Sequence, residues 1–201
     1  MAQSQCFALF DTPVGLCAIA WGERGIIGVS LPSGGESPLR ANIRKRFPDA
    51  VESDPPQSVQ DAITRIRALL SGESDDLTSI ALDMEGIADF NKKVYAVARA
   101  IPPGQTLTYG EVAEKLEAPP GAARAVGQAL GANPFPIIVP CHRVLGAGGK
   151  TGGFSAPGGT TTKMRMLNIE GAKPNNAPSL FSDLPMAAPP RRSQTPPKRR
   201  R

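Results

Sequence analysis

A cysteine and a histidine stand side by side at positions 141 and 142, and His142 is the only histidine of the chain. A thiol is a strong nucleophile as the thiolate, and a neighbouring imidazole is a common means of lowering its pKa from about 8.5. The pair alone is weak evidence, because a cysteine is more often a small buried apolar residue than a nucleophile. It indicates a reactive thiol only if the surrounding sequence supports that chemistry.

The backbone around Cys141 is predicted to turn. Neighbouring side chains of an extended strand face opposite ways, so Cys141 and His142 cannot touch each other in a strand. Pro140 fixes its own φ at about −65° and favours extended geometry at Val139. Either a turn or a bridging water is therefore needed to connect the imidazole with the thiol.

The three cysteines predict neither a disulfide framework nor a metal site. Cys6, Cys17 and Cys141 have no repeated spacing, which favours a reducing compartment. Cys6 and Cys17 have no CxxC partner, and the one histidine is already paired with Cys141. We expect no bound metal and no cofactor.

Three short helices are predicted to carry the region around the thiol, at about 90–98, 108–116 and 122–132. Thr108-x-x-Glu111 is a capping box that opens the second helix. A Pro-Pro-Gly sequence separates the second helix from the third, and Asn-Pro ends the third. Two short helices joined by a tight turn are the outline of a helix-turn-helix.

The third helix is made almost entirely of small residues, and Arg124 is its only charged residue. Base reading in a major groove needs several long polar side chains, which this helix lacks. Small residues let a backbone approach another surface closely, and one arginine is able to wedge into a duplex or replace an extruded base. A tightly packed core helix explains the same residues equally well.

The front of the chain is predicted to be an α/β scaffold without chemistry of its own. Turn residues separate three short strands at about 6–11, 16–21 and 26–31. One helix ends near 40–47, and a second carries an apolar stripe at 59–70, with Asp54 as its N-cap and Gly72 at C′. Residues 80–82 form a further candidate strand.

Charge is distributed unevenly along the chain. Residues 1–89 carry a net charge of −6, residues 90–172 carry +5 and residues 173–201 carry +6. This asymmetry favours a polyanion contacted by the second half only, although unequal solvated surfaces would give the same count. The Pro-rich end, 173–201, is expected to be disordered, either as a basic arm that adds nonspecific DNA affinity or as a dispensable tail.

No apolar run approaches the roughly 18 residues of a membrane span. The N-terminus has no basic segment before an apolar stretch, so we expect no secretory signal. These features predict a cytoplasmic protein that does not contact membranes, with the basic tail as a nuclear address only if the host has a nucleus.

Five motifs in order and spacing resemble the O6-alkylguanine-DNA alkyltransferases, also called methylated-DNA–protein-cysteine methyltransferases. They are Tyr109-Gly-Glu-Val-Ala, Arg124-Ala-Val-Gly, Asn133-Pro, Pro140-Cys-His-Arg-Val and the stretch from Lys163 to Glu170-Gly. The resemblance implies an RNase H-like α/β N-terminal domain at 1–87. A mostly helical, winged-helix-like C-terminal domain with a helix-turn-helix would follow at 88–172, and then the disordered tail at 173–201.

The resemblance also implies a reaction in which Cys141 takes an alkyl group from guanine O6 in DNA and is consumed. Glu170 would orient His142, which would act on Cys141 through a water, in the manner of a catalytic triad. Tyr109 would donate a hydrogen bond to guanine N3 as the base leaves. Asn133 and Pro140 would shape the turn that presents the cysteine.

Further implied residues would bind DNA and the flipped base, with the third helix in the minor groove and Arg124 filling the gap in the stack. The DNA-binding set is Arg124, Asn91, Gly110, Ala123, Ala125 and Gly127. The base-binding set is Tyr109, Val144, Phe154, Ser155 and Lys163. Phe154 departs from the tyrosine found in many relatives, which removes a hydroxyl but keeps the ring. The implied partner is double-stranded DNA bound by a monomer.

Two other functions are consistent with part of this set of residues. A module that recognises alkylated bases without repairing them would not need Cys141. A thiol hydrolase would use Cys141 and His142, but the sequence shows no oxyanion-hole signature or peptide cleft.

Overall fold

The structure is a computed structural model, and it describes residues 5–151, 153–154 and 156–172. Its first part is a meander of three antiparallel strands, β1 (Cys6–Thr12), β2 (Gly15–Gly22) and β3 (Gly25–Ser30). Gly15 makes the first turn possible, since its φ of 123° is a conformation that side chains disfavour. The three strands occur where the turn residues between them predict them.

Two helices and one added strand complete the front half. Helix α1 spans Glu36–Arg46, strand β4 is Val51–Glu52 and helix α2 spans Gln57–Leu70. Strand β4 lies parallel to β1, so the sheet order is β3-β2-β1-β4. The sequence did not predict β4, because two residues that pair with a distant strand carry no local pattern.

The boundaries of α2 correct one prediction and confirm another. Asp54 is not the N-cap, because the helix begins at Gln57 after the extended residue Pro56. Gly72 occupies C′ with a φ of 96°, and its N–H donates to the Leu69 carbonyl at 3.0 Å. The candidate strand at 80–82 is reduced to an isolated bridge between Leu82 and Ile26.

The described residues of the second half form four α-helices and a small parallel sheet of two strands. In chain order these elements are α3 (Asp89–Arg99), β5 (Leu107–Thr108), α4 (Tyr109–Lys115), α5 (Ala123–Gly131), β6 (Val144–Leu145) and α6 (Gly159–Ile169). The predicted capping box is formed at α4: Glu111 N–H donates to Thr108 Oγ1, and the Glu111 carboxylate accepts from the Thr108 N–H. The pairing of β5 with β6 was not predicted, and it fixes the strand after the Cys-His turn beside the start of α4.

The front sheet and the second half share one large apolar core. Ile19 and Val29 of the sheet belong to the same buried cluster as Ile66 of α2, Val126 of α5 and Phe135. A smaller cluster on the opposite face of the sheet packs under α1, through Leu39 and Ile43. One face of the sheet therefore packs in the same core as the segment between α5 and the Cys-His turn.

None of the helices in the described part of the chain is both long enough and apolar enough to cross a membrane.

Candidate active site

Cys141 begins a single 3-10 turn that runs to Arg143. The turn follows Pro140, whose φ is −78°, and it is closed by the Arg143 N–H, which donates to the Pro140 carbonyl at 2.9 Å. The backbone therefore turns at Cys141, as the sequence predicts. Cys141 is half-buried, whereas His142 is fully buried behind it.

His142 is held by Glu170, the residue that caps the C-terminal end of α6. The distance from His142 Nε2 to Glu170 Oε1 is 2.8 Å, and both side chains are 1% exposed. Burial lowers the pKa of His142 and outweighs the opposing effect of Glu170. The ring is therefore a neutral base whose Nε2–H donates to the carboxylate, and its buried Nδ1 has no hydrogen-bond partner among the described residues.

Arg143 is a site residue that the sequence analysis missed. Its Nε and Nη2 donate to the two oxygens of Glu170 at 2.9 Å each, and Nη1 donates to the Ile101 carbonyl at 2.5 Å. Burial opposes ionisation of Glu170, but hydrogen bonds from His142 and Arg143 prevail and lower its pKa to about 2. The sequence feature that could have identified Arg143 is its position directly after the Cys-His pair.

Asn133 lies between the end of α5 and the reactive turn. Its Nδ2 donates to the Val139 carbonyl at 2.9 Å, and its Oδ1 accepts from the Phe135 N–H at 2.9 Å. The side chain also favours the Cys141 thiolate and thereby opposes the effect of burial on the pKa of that thiol. One amide thus connects both ends of the segment that leads to the cysteine.

Lys163 is a fully buried lysine of α6 next to the same turn. Its Nζ donates to the Val144 carbonyl at 2.7 Å and lies 6.0 Å from the centre of the Tyr109 ring. Burial lowers the pKa of Lys163 to about 8. Burial raises the pKa of the Cys141 thiol, against the opposing effects of Asn133, Lys163 and two backbone N–H groups.

A cleft of about 600 Å³ opens at the thiol. Its volume is ordinary for a site that accepts a small molecule or one base. Predicted site residues among those lining it are Tyr109, Ala123, Arg124, Gly127, Cys141 and Phe154. A Cβ at position 127 would be in ordinary contact with the Tyr109 ring at 3.8 Å, so Gly127 and Tyr109 are neighbours in the lining of the cleft.

The other predicted site residues that the structure describes lie outside this lining. Asn91 is half-buried in the first turn of α3, one helical turn before Tyr95. Gly110 and Ala125 belong to α4 and α5, while Val144 contributes its carbonyl to Lys163. Ser155 and the tail at 173–201 lie outside the described residues.

The fold and the site together define a mixed α/β protein that carries a half-buried cysteine beside a buried His–Glu pair. Residues 89–172 match the family model described as 6-O-methylguanine DNA methyltransferase, DNA binding domain. The methylated-DNA–protein-cysteine methyltransferase of Methanothermobacter thermautotrophicus is 35% identical over 76% of this chain and 78% of its own length. That of Mycolicibacterium paratuberculosis is 36% identical over 80% of this chain and 88% of its own.

A solved structure gives the same result. The crystal structure of the Mycobacterium tuberculosis O6-methylguanine methyltransferase superposes with a TM-score of 0.67 at 33% identity, over 87% of this chain and 96% of that one. The chain belongs to the methylated-DNA–protein-cysteine methyltransferase family.

Proposed function

We propose that this protein repairs DNA by moving a methyl or larger alkyl group from guanine O6 to its own Cys141. The observation that carries the proposal is the position of the thiol. Cys141 lies at the wall of a cleft large enough for one base, and the neutral imidazole of His142 is fixed behind it by Glu170. A nucleophile and its base are thus present, together with the group that orients the base.

The reaction is one displacement at carbon. The Cys141 thiol gives its proton to His142 Nδ1 through a bridging water, and the thiolate attacks the alkyl carbon. As the S–C bond forms, the C–O6 bond breaks and its electron pair leaves with the guanine. The Tyr109 hydroxyl donates a hydrogen bond to guanine N3 and stabilises that charge. Because a thioether is not hydrolysed, each molecule reacts once.

DNA reaches the site by way of α5. Arg124 is exposed on this helix and lines the cleft with Cys141, so it is suitably placed to fill the gap left by a flipped base. We infer that α5 lies in the minor groove and that Asn91, Gly110, Ala123, Ala125 and Gly127 complete the contact. The crystal structure of an M. tuberculosis relative in complex with DNA supports this inference; that protein is 33% identical and superposes with a TM-score of 0.66 over 82% of this chain and 92% of its own.

The flipped base would meet Phe154 and the Val144 carbonyl. Phe154 lines the cleft and offers a ring for stacking. The Val144 carbonyl already accepts from Lys163, but its second lone pair is suited to the exocyclic amine of guanine. Ser155 is proposed to donate to O6.

The finer fold assignments belong to the same proposal. We infer an RNase H-like front domain and a winged-helix-like second domain with α4 and α5 as its helix-turn-helix. The protein would act as a monomer in the cytoplasm and would need no cofactor for a displacement of this kind.

The decisive experiment uses duplex DNA that carries O6-methylguanine with a labelled methyl group. Peptide mass spectrometry then locates and counts the label. One methyl on Cys141 per molecule supports the proposal. Tight binding without transfer would indicate a recognition module, and more than one equivalent of product per molecule would indicate a turning-over hydrolase.

A further inference from the structure

Arg46, the last residue of α1, joins the front sheet to the segment that leads to Cys141. Its Nη1 donates to the Val29 carbonyl and to Ser30 Oγ, both at 3.0 Å. Its Nη2 donates to the Pro134 carbonyl at 3.1 Å, which also accepts from the Val29 N–H at 2.8 Å. Two donors from the front half therefore converge on one carbonyl of the second half.

The sheet is shaped to admit this arginine. A Cβ at position 28 would lie 2.7 Å from the Phe47 ring and 2.9 Å from Arg46 Nη2, so any larger residue would displace these two side chains. The Arg46 guanidinium lies 5.1 Å from the centre of the Phe47 ring. The oxygens of Val29, Ser30 and Pro134 that accept from Arg46 are neutral, and no ion pair of the described residues includes this arginine. Because the hydrogen bonds are directional and their acceptors are uncharged, Arg46 is suited to hold a position rather than to neutralise a charge.

The carbonyl that Arg46 holds follows directly after Asn133 in the chain. Asn133 in turn accepts from the Phe135 N–H at 2.9 Å and donates to the Val139 carbonyl at 2.9 Å, and that carbonyl also accepts from the Cys141 N–H at 2.8 Å. A displacement of Pro134 would therefore move an amide that shares its acceptor with the backbone of Cys141.

We propose that Arg46 is a positioning residue for Cys141 and that it acts through Asn133. The front half would then do more than support the fold, because one of its side chains sets the geometry of the nucleophile. This inference rests on the proposed function, in which Cys141 is the acceptor.

The expected signature is a change in thiol reactivity with pH. Asn133 favours the thiolate of Cys141, so its misplacement raises the pKa of that thiol. The other titratable groups near the thiol belong to elements that Arg46 does not touch; they are Tyr95 of α3, Tyr109 of α4, His142 of the turn, Lys163 of α6 and Glu170 directly after that helix. A shift in the Arg46 variants would therefore report on Asn133.

The test measures the rate at which iodoacetamide alkylates Cys141 as a function of pH, with peptide mass spectrometry to separate this thiol from Cys6 and Cys17. Arg46→Met should move the profile to higher pH and slow alkylation at pH 7 about tenfold, the effect of one pKa unit on the thiolate fraction. Arg46→Lys, which keeps the charge and most of the packing, should show a smaller shift in the same direction and serves if the methionine variant does not fold.

The matched control is Arg165→Met. Arg165 of α6 also joins the two halves through backbone carbonyls, those of Pro13 and Val14, but these lie far from the turn in the chain. It should lower stability without moving the alkylation profile. An equal shift in Arg165→Met would show that any loosening between the halves is sufficient, and would overturn the proposal.

A double-mutant cycle with Asn133→Ala identifies the path. If Arg46 acts through Asn133, removing both should shift the profile no further than removing Asn133 alone. Additive shifts, or no shift in either Arg46 variant, would overturn the inference. Failure of the wild-type protein to accept methyl from DNA would instead contradict the proposed function, and the iodoacetamide assay does not depend on that reaction.

Discussion

His142 Nε2 lies 2.8 Å from Glu170 Oε1, across 28 residues of sequence, and both side chains are 1% exposed. Burial alone would make such a carboxylate prefer the neutral form. Hydrogen bonds from His142 and from Arg143, which donates to both oxygens of Glu170, prevent this. The histidine therefore faces a negative charge, which fixes its tautomer and, in the proposed reaction, would stabilise the positive charge that the ring acquires as the thiol ionises.

Glu170→Gln should slow methyl transfer and also remove a pH-dependent part of stability. The folded chain keeps Glu170 charged down to a pKa of about 2, whereas its usual value is 4.5. Stability from this carboxylate is thus present above pH 4.5 and is lost as the pH falls towards 2, up to about 3 kcal/mol. Urea unfolding at pH 7 and pH 3 should show a gap between wild type and variant that narrows in acid.

The control for this comparison is Glu114→Gln, which changes an exposed carboxylate of α4. A gap between wild type and Glu170→Gln that is independent of pH would contradict the proposed ionisation of Glu170.

Cys141→Ser should abolish methyl transfer and leave duplex binding nearly unchanged, because serine is a far weaker nucleophile with almost the same shape. Labelled methyl is counted on the protein, and binding is followed by fluorescence anisotropy. Cys6→Ser provides the control, since Cys6 is a half-buried thiol at the start of β1 and should transfer as wild type does. Loss of binding in Cys141→Ser would mean that the thiol is structural.

Arg124→Ala should weaken repair of duplex DNA far more than reaction with free O6-benzylguanine. The free base needs no flipping, whereas extrusion from a duplex costs a few kcal/mol that an inserted side chain offsets. Single-turnover rates on the two substrates measure the difference. Arg24→Ala, which removes an exposed arginine of the front half, should affect neither rate. Equal loss on both substrates would argue against the wedge role.

Lys163→Met should reduce the reactivity of Cys141 at pH 7 several-fold, because it removes a buried cation that favours the thiolate. Burial lowers the pKa of Lys163 from 10.5 to about 8. Between these values the folded chain has released the proton while the unfolded chain still holds it, so wild-type stability rises with pH relative to the variant. Thermal unfolding from pH 7 to 10 and iodoacetamide kinetics test both effects. A stability difference that stays constant over this range would mean that Lys163 does not titrate there.

Local interactions are what the sequence by itself determined. The Thr108–Glu111 capping box, the C′ glycine of α2 and the three strands of the meander depend on residues a few positions apart, and each lies where its pattern predicts. The resemblance to the family supplied the predicted set of residues around Cys141. The order and spacing of the family motifs identify such residues even when they lie far apart in the chain. Local pattern failed at Asp54, where a good capping residue lies two positions before the true cap.

Only the tertiary structure decided which distant groups meet. Arg143 binds Glu170, which is 27 residues away in the chain, and Arg46 donates to Pro134, which is 88 residues away. Strand β5 pairs with β6 over two residues. No sequence period encodes such pairs, because each depends on how elements pack around the shared core. The sequence therefore determines which residues form the turn at Cys141, but the charges around the turn and its position depend on contacts between elements that are distant in the chain.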